Sequence, residues 1–248
     1  MTLIRATTLS MIAALLASCS QSASDMNTRQ AEEAAPIAGA SDTNPVVVEI
    51  YQSQGCSSCP PANANINRIA GDEGILALSF AVTYWDRLGW KDIFADAAYT
   101  DRQWDYARTG SRRSVFTPQV IVNGGEPIVG NDLSELRETI AQRGPLTGGP
   151  VIDPMGDRVV IGMAPASEPA TAWLVRYDPE SVEVDIGAGE NTGRTLPHRN
   201  IVHQLEELGQ WTGEEAIFDL PATPRENLKT AVLLQQGTGG PIVAARKF

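Results

Sequence analysis

A strand followed at once by a cysteine pair and two prolines constrains the fold of this chain most. Residues 46–51 are rich in β-branched side chains, and Cys56 and Cys59, separated by two serines, follow them closely. Pro60 and Pro61 come next, and proline fits best in the first turn of a helix, where its missing N–H has no intrahelical partner. The pattern predicts a dithiol at a strand-to-helix junction.

The position of the cysteines at a helix start suggests what they do. Unpaired amides and the positive end of the helix dipole favour a thiolate there, so Cys56 is the predicted attacking sulfur and Cys59 the resolving one. A purely structural disulfide would close a ring of four residues, which restricts the unfolded chain very little. That argument favours catalysis, although the same spacing also occurs in half-sites for zinc.

The N-terminus carries the features of an export signal. Arg5 precedes the apolar residues 9–17, which are too few to span a bilayer as a helix, so residues 1–18 are predicted to be a signal peptide. Residues 16–19 read Leu-Ala-Ser-Cys and resemble the lipobox of bacterial lipoproteins. The resemblance implies lipidation of Cys19 and attachment to a membrane of the cell envelope, facing the periplasm. The alternative is an ordinary secretory peptide cleaved a few residues later.

The rest of the chain divides by composition and pattern. Residues 19–44 contain no aromatic side chain and are predicted to be a disordered tether. Residues 45–145 show the order β-α-β-α-β-β-α, which predicts an α/β thioredoxin-like domain with a mixed sheet and flanking helices. After a segment rich in glycine and proline, short strand-like runs in residues 150–248 predict a small antiparallel β-rich module.

Local signals add detail to this division. Thr100 and Gln103 form a capping-box pattern for a helix ending near Thr109, and Asp132 precedes another helix. A turn after residue 122 leads to a predicted short strand at 127–129.

Helical spacing predicts one helix, residues 199–208, inside the β-rich module; its apolar side chains are Ile201, Val202, Leu205 and Leu208. His198 and His203 would project about 140° apart on a helix, so they cannot bind one metal ion from the same face. The glycine-rich residues 187–193 are interpreted as a turn, because their third glycine lies one position later than a dinucleotide-binding loop requires.

Four segments carry a family resemblance. Residues 47–61, 84–92, 117–119 and 189–196 resemble the DUF1223 family of secreted proteins, which belongs to the thioredoxin-like superfamily. The similarity covers nearly all of residues 46–248. It implies a thioredoxin-like fold and dithiol chemistry, and it implies no known substrate.

Thr117 and Pro118 occupy the place of the cis-proline loop of thioredoxin-like proteins. A cis X-Pro bond there would set the Thr117 backbone beside the sulfurs, ready to pair with an extended substrate. The alternative is a trans proline that only begins a strand.

Three further side chains are candidates for the site. Glu49, on an otherwise apolar strand, is predicted to take the Cys59 proton during exchange, like the acidic residue on the corresponding strand of thioredoxin. A salt-bridged or solvent-facing Glu49 is the alternative. Trp85 and Trp90 follow the second strand and are predicted to wall a substrate groove, with ordinary core packing as the alternative.

These observations predict an exported thiol–disulfide oxidoreductase. Its substrates are proteins or small thiols and disulfides, and it needs no metal and no cofactor beyond the Cys56–Cys59 disulfide. A formal net charge of −11 argues against nucleic acid as a partner. Two alternatives stay open: a Cu(I)-binding metallochaperone that uses the same dithiol, and a non-catalytic interaction module.

Overall fold

The computed structural model describes residues 36–248, which form one compact unit. The predicted signal peptide, the predicted lipidation site Cys19 and the first part of the predicted tether lie outside the described residues.

Residues 36–44, the last part of the predicted tether, contact the folded unit. The Ile37 side chain packs against the apolar cluster around Val46 and Val48. The Lys247 ammonium lies 3.1 Å from the Asp42 carboxylate. These residues are therefore part of the packed structure.

Ten strands and three α-helices follow, with a 3₁₀ turn at Asp86–Leu88. The strands are β1 (Val46–Gln52), β2 (Ile75–Ala81), β3 (Gln119–Val122), β4 (Ile152–Met155), β5 (Arg158–Ile161), β6 (Ala170–Asp185), β7 (Thr195–Trp211), β8 (Ala216–Asp219), β9 (Lys229–Gln236) and β10 (Ile242–Lys247). The helices are α1 (Cys59–Ile69), α2 (Ala97–Thr109) and α3 (Leu133–Arg143).

A mixed seven-stranded sheet in the order β10-β9-β6-β7-β2-β1-β3 is the frame of the molecule. β1 pairs in parallel with β2 and antiparallel with β3. β1 and β2 are buried along their whole length, because helices cover both faces of this part of the sheet. Helices α1 and α3 pack on one face through Ile66 and Ile140, whereas α2 packs on the other through Tyr99 and Tyr106.

The second half of the chain continues the same sheet. β6 and β7 form a long antiparallel hairpin, and β7 joins β2 in parallel where Ser79 pairs with Ile201. A separate antiparallel sheet of three strands, in the order β4-β5-β8, packs beside this hairpin through Val159 and Ile161. The fold is therefore mixed α/β with one mixed sheet and one small antiparallel sheet. The domain boundary at residues 145–150 stays a prediction.

The predicted helix at 199–208 is wrong, because these residues lie in β7. Val202 and Leu205 face the same apolar cluster three positions apart, a spacing that suggests a helix. The register between β6 and β7 shifts between Arg176 and Tyr177, which leaves His203 as an extra residue. In a regular strand every second side chain faces the same side. The extra residue of this β-bulge lengthens that spacing locally to three, which resembles the spacing of apolar residues in a helix.

Smaller differences concern caps and one strand. Helix α2 is capped by Asp96, whose side chain accepts from the Ala98 amide (2.8 Å), and the Thr100 hydroxyl contacts Thr83 instead. The cap of α3 at Asp132 and the end of α2 at Thr109 are confirmed. The strand predicted at 127–129 is reduced to a single bridge between Val120 and Ile128.

Among residues 36–248, no helix combines the length and the apolar character needed to cross a bilayer.

Candidate dithiol site

Cys56 and Cys59 form a disulfide at the start of α1. Their Cα atoms are 5.4 Å apart, with Cys59 as the first residue of the helix and Cys56 in the loop after β1. Both cysteines are fully buried, whereas Ser57 and Ser58 between them are exposed. The structure thus brings the pair together as predicted, and a partner sulfur reaches Cys56 only after the covering groups move.

The helix start offers few free amides to the sulfurs. Pro60 and Pro61 occupy the second and third positions of α1 and have no N–H to donate. The Cys59 amide donates to the Cys56 carbonyl (3.2 Å). The Ser58 hydroxyl lies 3.3 Å from the Cys56 Sγ and also within 3.3 Å of the Thr117 carbonyl, to which it can donate.

The Thr117–Pro118 peptide bond is cis, as the sequence predicts. The Thr117 backbone reaches the dithiol loop through its hydrogen bond from Ser58, and its hydroxyl accepts from the Trp85 indole N–H (2.7 Å). The structure therefore places Thr117 beside the cysteine loop. The catalytic roles of Thr117 and Pro118 stay predictions.

Trp85 and Trp90 are half-buried, and both contact the loop that leads to Cys56. Trp85 packs against Gly55, where an added Cβ would be 3.3 Å from the Trp85 Cβ. Trp90 donates from its indole nitrogen to the Gln54 side-chain oxygen (2.8 Å). Both rings support the loop that carries Cys56, and their role as walls of a substrate groove stays a prediction.

Glu49 is fully buried and forms an ion pair with Arg102 (Oε1 to Nε, 2.8 Å). Tyr106 donates a short hydrogen bond to the other carboxylate oxygen, and Tyr51 donates to Oε1 (3.4 Å). Burial raises the pKa of both tyrosines, so they stay neutral donors. The salt-bridged alternative is the one observed, and the solvent-facing one is excluded.

The ion pair lies on the α2 face of the sheet, together with Tyr51, whereas α1 packs on the opposite face. Arg102 also donates to the Gln235 side-chain oxygen (2.9 Å) and lies 5.3 Å from the centre of the Trp173 ring. This buried network ties β1 and α2 to strands β6 and β9. Proton transfer by Glu49 stays a prediction.

The turn between β6 and β7 reaches the cysteine loop, which sequence reasoning missed. The Asn191 side-chain amide donates to the Gln54 carbonyl (2.8 Å) and the Cys56 carbonyl (2.9 Å), and Asn191 is fully buried. The Glu190 carboxylate accepts from the Ser57 amide (3.1 Å). Residues 187–193 form a turn as predicted, and their place among the family-like segments was the only available signal of a role.

Asp92 is a second support that the sequence did not single out. It accepts from the Gln54 amide (2.7 Å) and the Phe94 amide (2.9 Å) and is almost fully buried. Burial raises its pKa to about 6, although these hydrogen bonds act in the opposite direction. Gln54 is therefore held by Asp92, Trp90 and Asn191 two positions before Cys56.

The two histidines lie near one ring. Phe94 is 5.9 Å from the His198 ring and 6.0 Å from the His203 ring, measured between ring centres. Neither ring nitrogen of the buried His198 has a hydrogen-bond partner among the described residues. Burial lowers its pKa to about 4, so it is neutral at pH 7. No group of three potential metal-binding side chains occurs in the described part of the chain.

The family described as "Protein of unknown function (DUF1223)" matches residues 47–235, which include the dithiol, the cis-proline and the turn that carries Asn191. The chain belongs to this family. No curated protein matches this DUF1223 chain.

Two solved structures are similar to this DUF1223 protein. The crystal structure of protein AGR_C_4864 from Agrobacterium tumefaciens has a TM-score of 0.68 and 29% identity, and the match covers 84% of this chain and 94% of that one. HBP35 of Porphyromonas gingivalis has a TM-score of 0.55 and 12% identity, over 84% of this chain and 76% of that one. The second likeness concerns the fold alone.

Proposed function

We propose that this DUF1223 protein is an exported thiol–disulfide oxidoreductase with a thioredoxin-like fold. The observation that carries the proposal is the Cys56–Cys59 disulfide at the start of α1, next to the cis Thr117–Pro118 bond. A helix start and a Cys-x-x-Cys motif both lower the pKa of a cysteine, which gives it the thiolate character that disulfide exchange needs.

The reaction transfers two electrons between the dithiol and a disulfide. The Cys56 thiolate attacks one sulfur of a substrate disulfide, whose S–S bond breaks and whose leaving thiolate takes a proton. The Cys59 thiol then loses its proton and attacks the Cys56 Sγ, which releases the second substrate thiol. The protein ends as the disulfide and the substrate as two thiols, and the reverse sequence oxidises a dithiol substrate.

Access to the sulfurs requires a local movement. Cys56 is fully buried, and the exposed Ser57 and Ser58 are the part of the loop that a partner meets first. Displacing the Ser58 hydroxyl from the Cys56 Sγ and from the Thr117 carbonyl breaks two contacts of 3.3 Å, which share the single hydroxyl proton. Because neutral hydrogen bonds contribute about 1 kcal/mol each, this opening is compatible with exchange in solution.

The proposal is tested with the protein in a Cys19→Ser background, which leaves only the two site cysteines. The starting protein should equilibrate with glutathione redox buffers. Cys59→Ser should accumulate a mixed disulfide on Cys56, detected by mass spectrometry, because the resolving thiol is gone. Cys56→Ser should form none. Equal exchange by Cys56→Ser and the starting protein would refute the mechanism.

Location is the second part of the proposal. The lipobox-like residues 16–19 support lipidation of Cys19, attachment to a membrane of the bacterial cell envelope and exposure to the periplasm. Growth with a labelled fatty acid should label the wild-type chain and leave the Cys19→Ser chain unlabelled. Equal labelling of the two chains would refute the anchor.

A further inference from the structure

Most of the backbone amides that follow Cys56 already have hydrogen-bond acceptors. The three amides that follow Cys56 belong to Ser57, Ser58 and Cys59, and the next two residues are prolines. The Ser57 amide donates to the Glu190 carboxylate (3.1 Å), and the Cys59 amide donates to the Cys56 carbonyl (3.2 Å). Two of these three amides are therefore engaged before a thiolate forms on Cys56.

Glu190 is held in this position by its own turn. Its neighbour Asn191 is anchored through two buried hydrogen bonds to the cysteine loop. The base of the turn is closed by backbone bonds between Ile186 and Gly193 (2.8 Å) and between Ile186 and Arg194 (2.9 Å). The exposed carboxylate is thus presented to the Ser57 amide by a turn that is hydrogen-bonded at its base and at Asn191.

The carboxylate is negatively charged at neutral pH. Hydrogen bonds from the Ser57 side chain and, to a smaller extent, from the Ser57 amide lower the pKa of Glu190. The same turn carries Arg194, but its guanidinium donates to the side-chain oxygen of Asn191 (2.9 Å). A fixed negative charge therefore lies on the amide next to the attacking cysteine.

We infer that Glu190 is a positioning residue that disfavours the Cys56 thiolate and thereby makes the dithiol a reductant. This inference rests on the proposed function. A carboxylate on the Ser57 amide withdraws a donor that would otherwise turn toward the thiolate, and its charge repels the thiolate directly. Both effects destabilise the reduced protein relative to the disulfide, whereas strongly oxidising dithiols have a stabilised reduced form.

The direction of electron flow follows from this difference. Cys56 and Cys59 give two electrons to a substrate disulfide, which becomes two thiols while the protein forms its own disulfide. A dithiol donor must then reduce the Cys56–Cys59 disulfide again. The substrate class is consequently disulfides of envelope proteins or small molecules, and the turnover partner is a stronger dithiol reductant.

Glu190→Gln tests the inference in the Cys19→Ser background, because glutamine keeps the shape and the acceptor but removes the charge. Glu190→Ala also removes the acceptor. Glu214→Gln is the matched control, since Glu214 is exposed and changes the net charge equally. The measurements are the equilibrium with dithiothreitol or glutathione buffers at pH 8 and the Cys56 pKa from thiolate absorbance.

Glu190→Gln should lower the Cys56 pKa and shift the equilibrium constant threefold to tenfold toward the reduced protein, where tenfold corresponds to about 30 mV. Glu190→Ala should shift it at least as far, and the control should match the starting protein. An unchanged pKa and potential in both Glu190 variants would overturn the inference even if exchange proceeds. A starting protein that does not exchange at all would instead refute the proposed function.

Discussion

The buried ion pair between Glu49 and Arg102 makes a quantitative prediction. Arg102→Met keeps most of the side-chain volume but leaves a fully buried carboxylate without its cation. Removing one partner of a buried pair typically costs about 3–5 kcal/mol, because the remaining charge is uncompensated. Domains of this kind are stable by about 5–15 kcal/mol, so urea denaturation should show a large loss.

A double variant separates the charge from the packing. Replacing both partners, as in Glu49→Leu with Arg102→Met, removes the uncompensated charge. It also takes the Glu49 or Arg102 partner from the Tyr51 and Tyr106 hydroxyls and from the Gln235 side-chain oxygen, at about 1 kcal/mol each. The double variant should therefore be at least about 2 kcal/mol more stable than the sum of the two single losses predicts.

Arg108→Met is the control on the same helix, since the Arg108 side chain is 62% exposed and its pair with Asp105 lies at the surface. Its effect should stay within about 0.5 kcal/mol. The reasoning fails if Arg102→Met costs less than about 1 kcal/mol, or if the losses of the two single variants simply add in the double variant.

Two further predictions concern the supports of the dithiol loop and the buried histidine. Asn191→Ala removes the donor to the Gln54 carbonyl and one donor to the Cys56 carbonyl. It should lower the free energy of unfolding by about 2 kcal/mol and speed reduction of the disulfide by dithiothreitol severalfold. Unchanged reduction kinetics would show that Asn191 does not hold the loop closed. His198 has a pKa lowered to about 4 by burial, so the unfolded chain binds its proton first and stability falls as the pH drops from 6.5 to 4. Between pH 6.5 and pH 4, His198→Leu should therefore lose about 3 kcal/mol less folding stability than the wild type. Comparing variant and wild type cancels the contribution of Asp92, whose raised pKa acts with the opposite sign. Equal pH profiles of stability for the two proteins would contradict the assignment.

Local patterns were sufficient for the first half of the fold. The buried strands β1 and β2 were readable because a strand covered on both faces is apolar throughout. The dithiol was predictable from two cysteines placed between a strand and two prolines, and the cis Thr117–Pro118 bond from the resemblance to thioredoxin-like proteins. Asp96 was missed as the cap of α2 because Thr100 and Gln103 formed a competing pattern four residues later.

Contacts between distant parts of the chain were not predictable from local patterns. Glu190 and Asn191 look like ordinary turn residues, and only the pairing of β7 with β2 carries their turn to the cysteine loop. The misassigned segment 199–208 has a similar cause, because the bulge at His203 depends on the partner strand and leaves no separate mark in its own sequence.

The long sequence separation inside the dithiol site bears on how the protein matures. Asn191 is 135 positions after Cys56, yet its side chain is one of the groups that hold the Cys56 backbone in place. A chain emerging from the ribosome or a translocation channel presents its cysteines long before that turn arrives. An oxidant present during synthesis would therefore meet open thiols in the nascent protein, whereas in the folded protein it would meet a shielded disulfide.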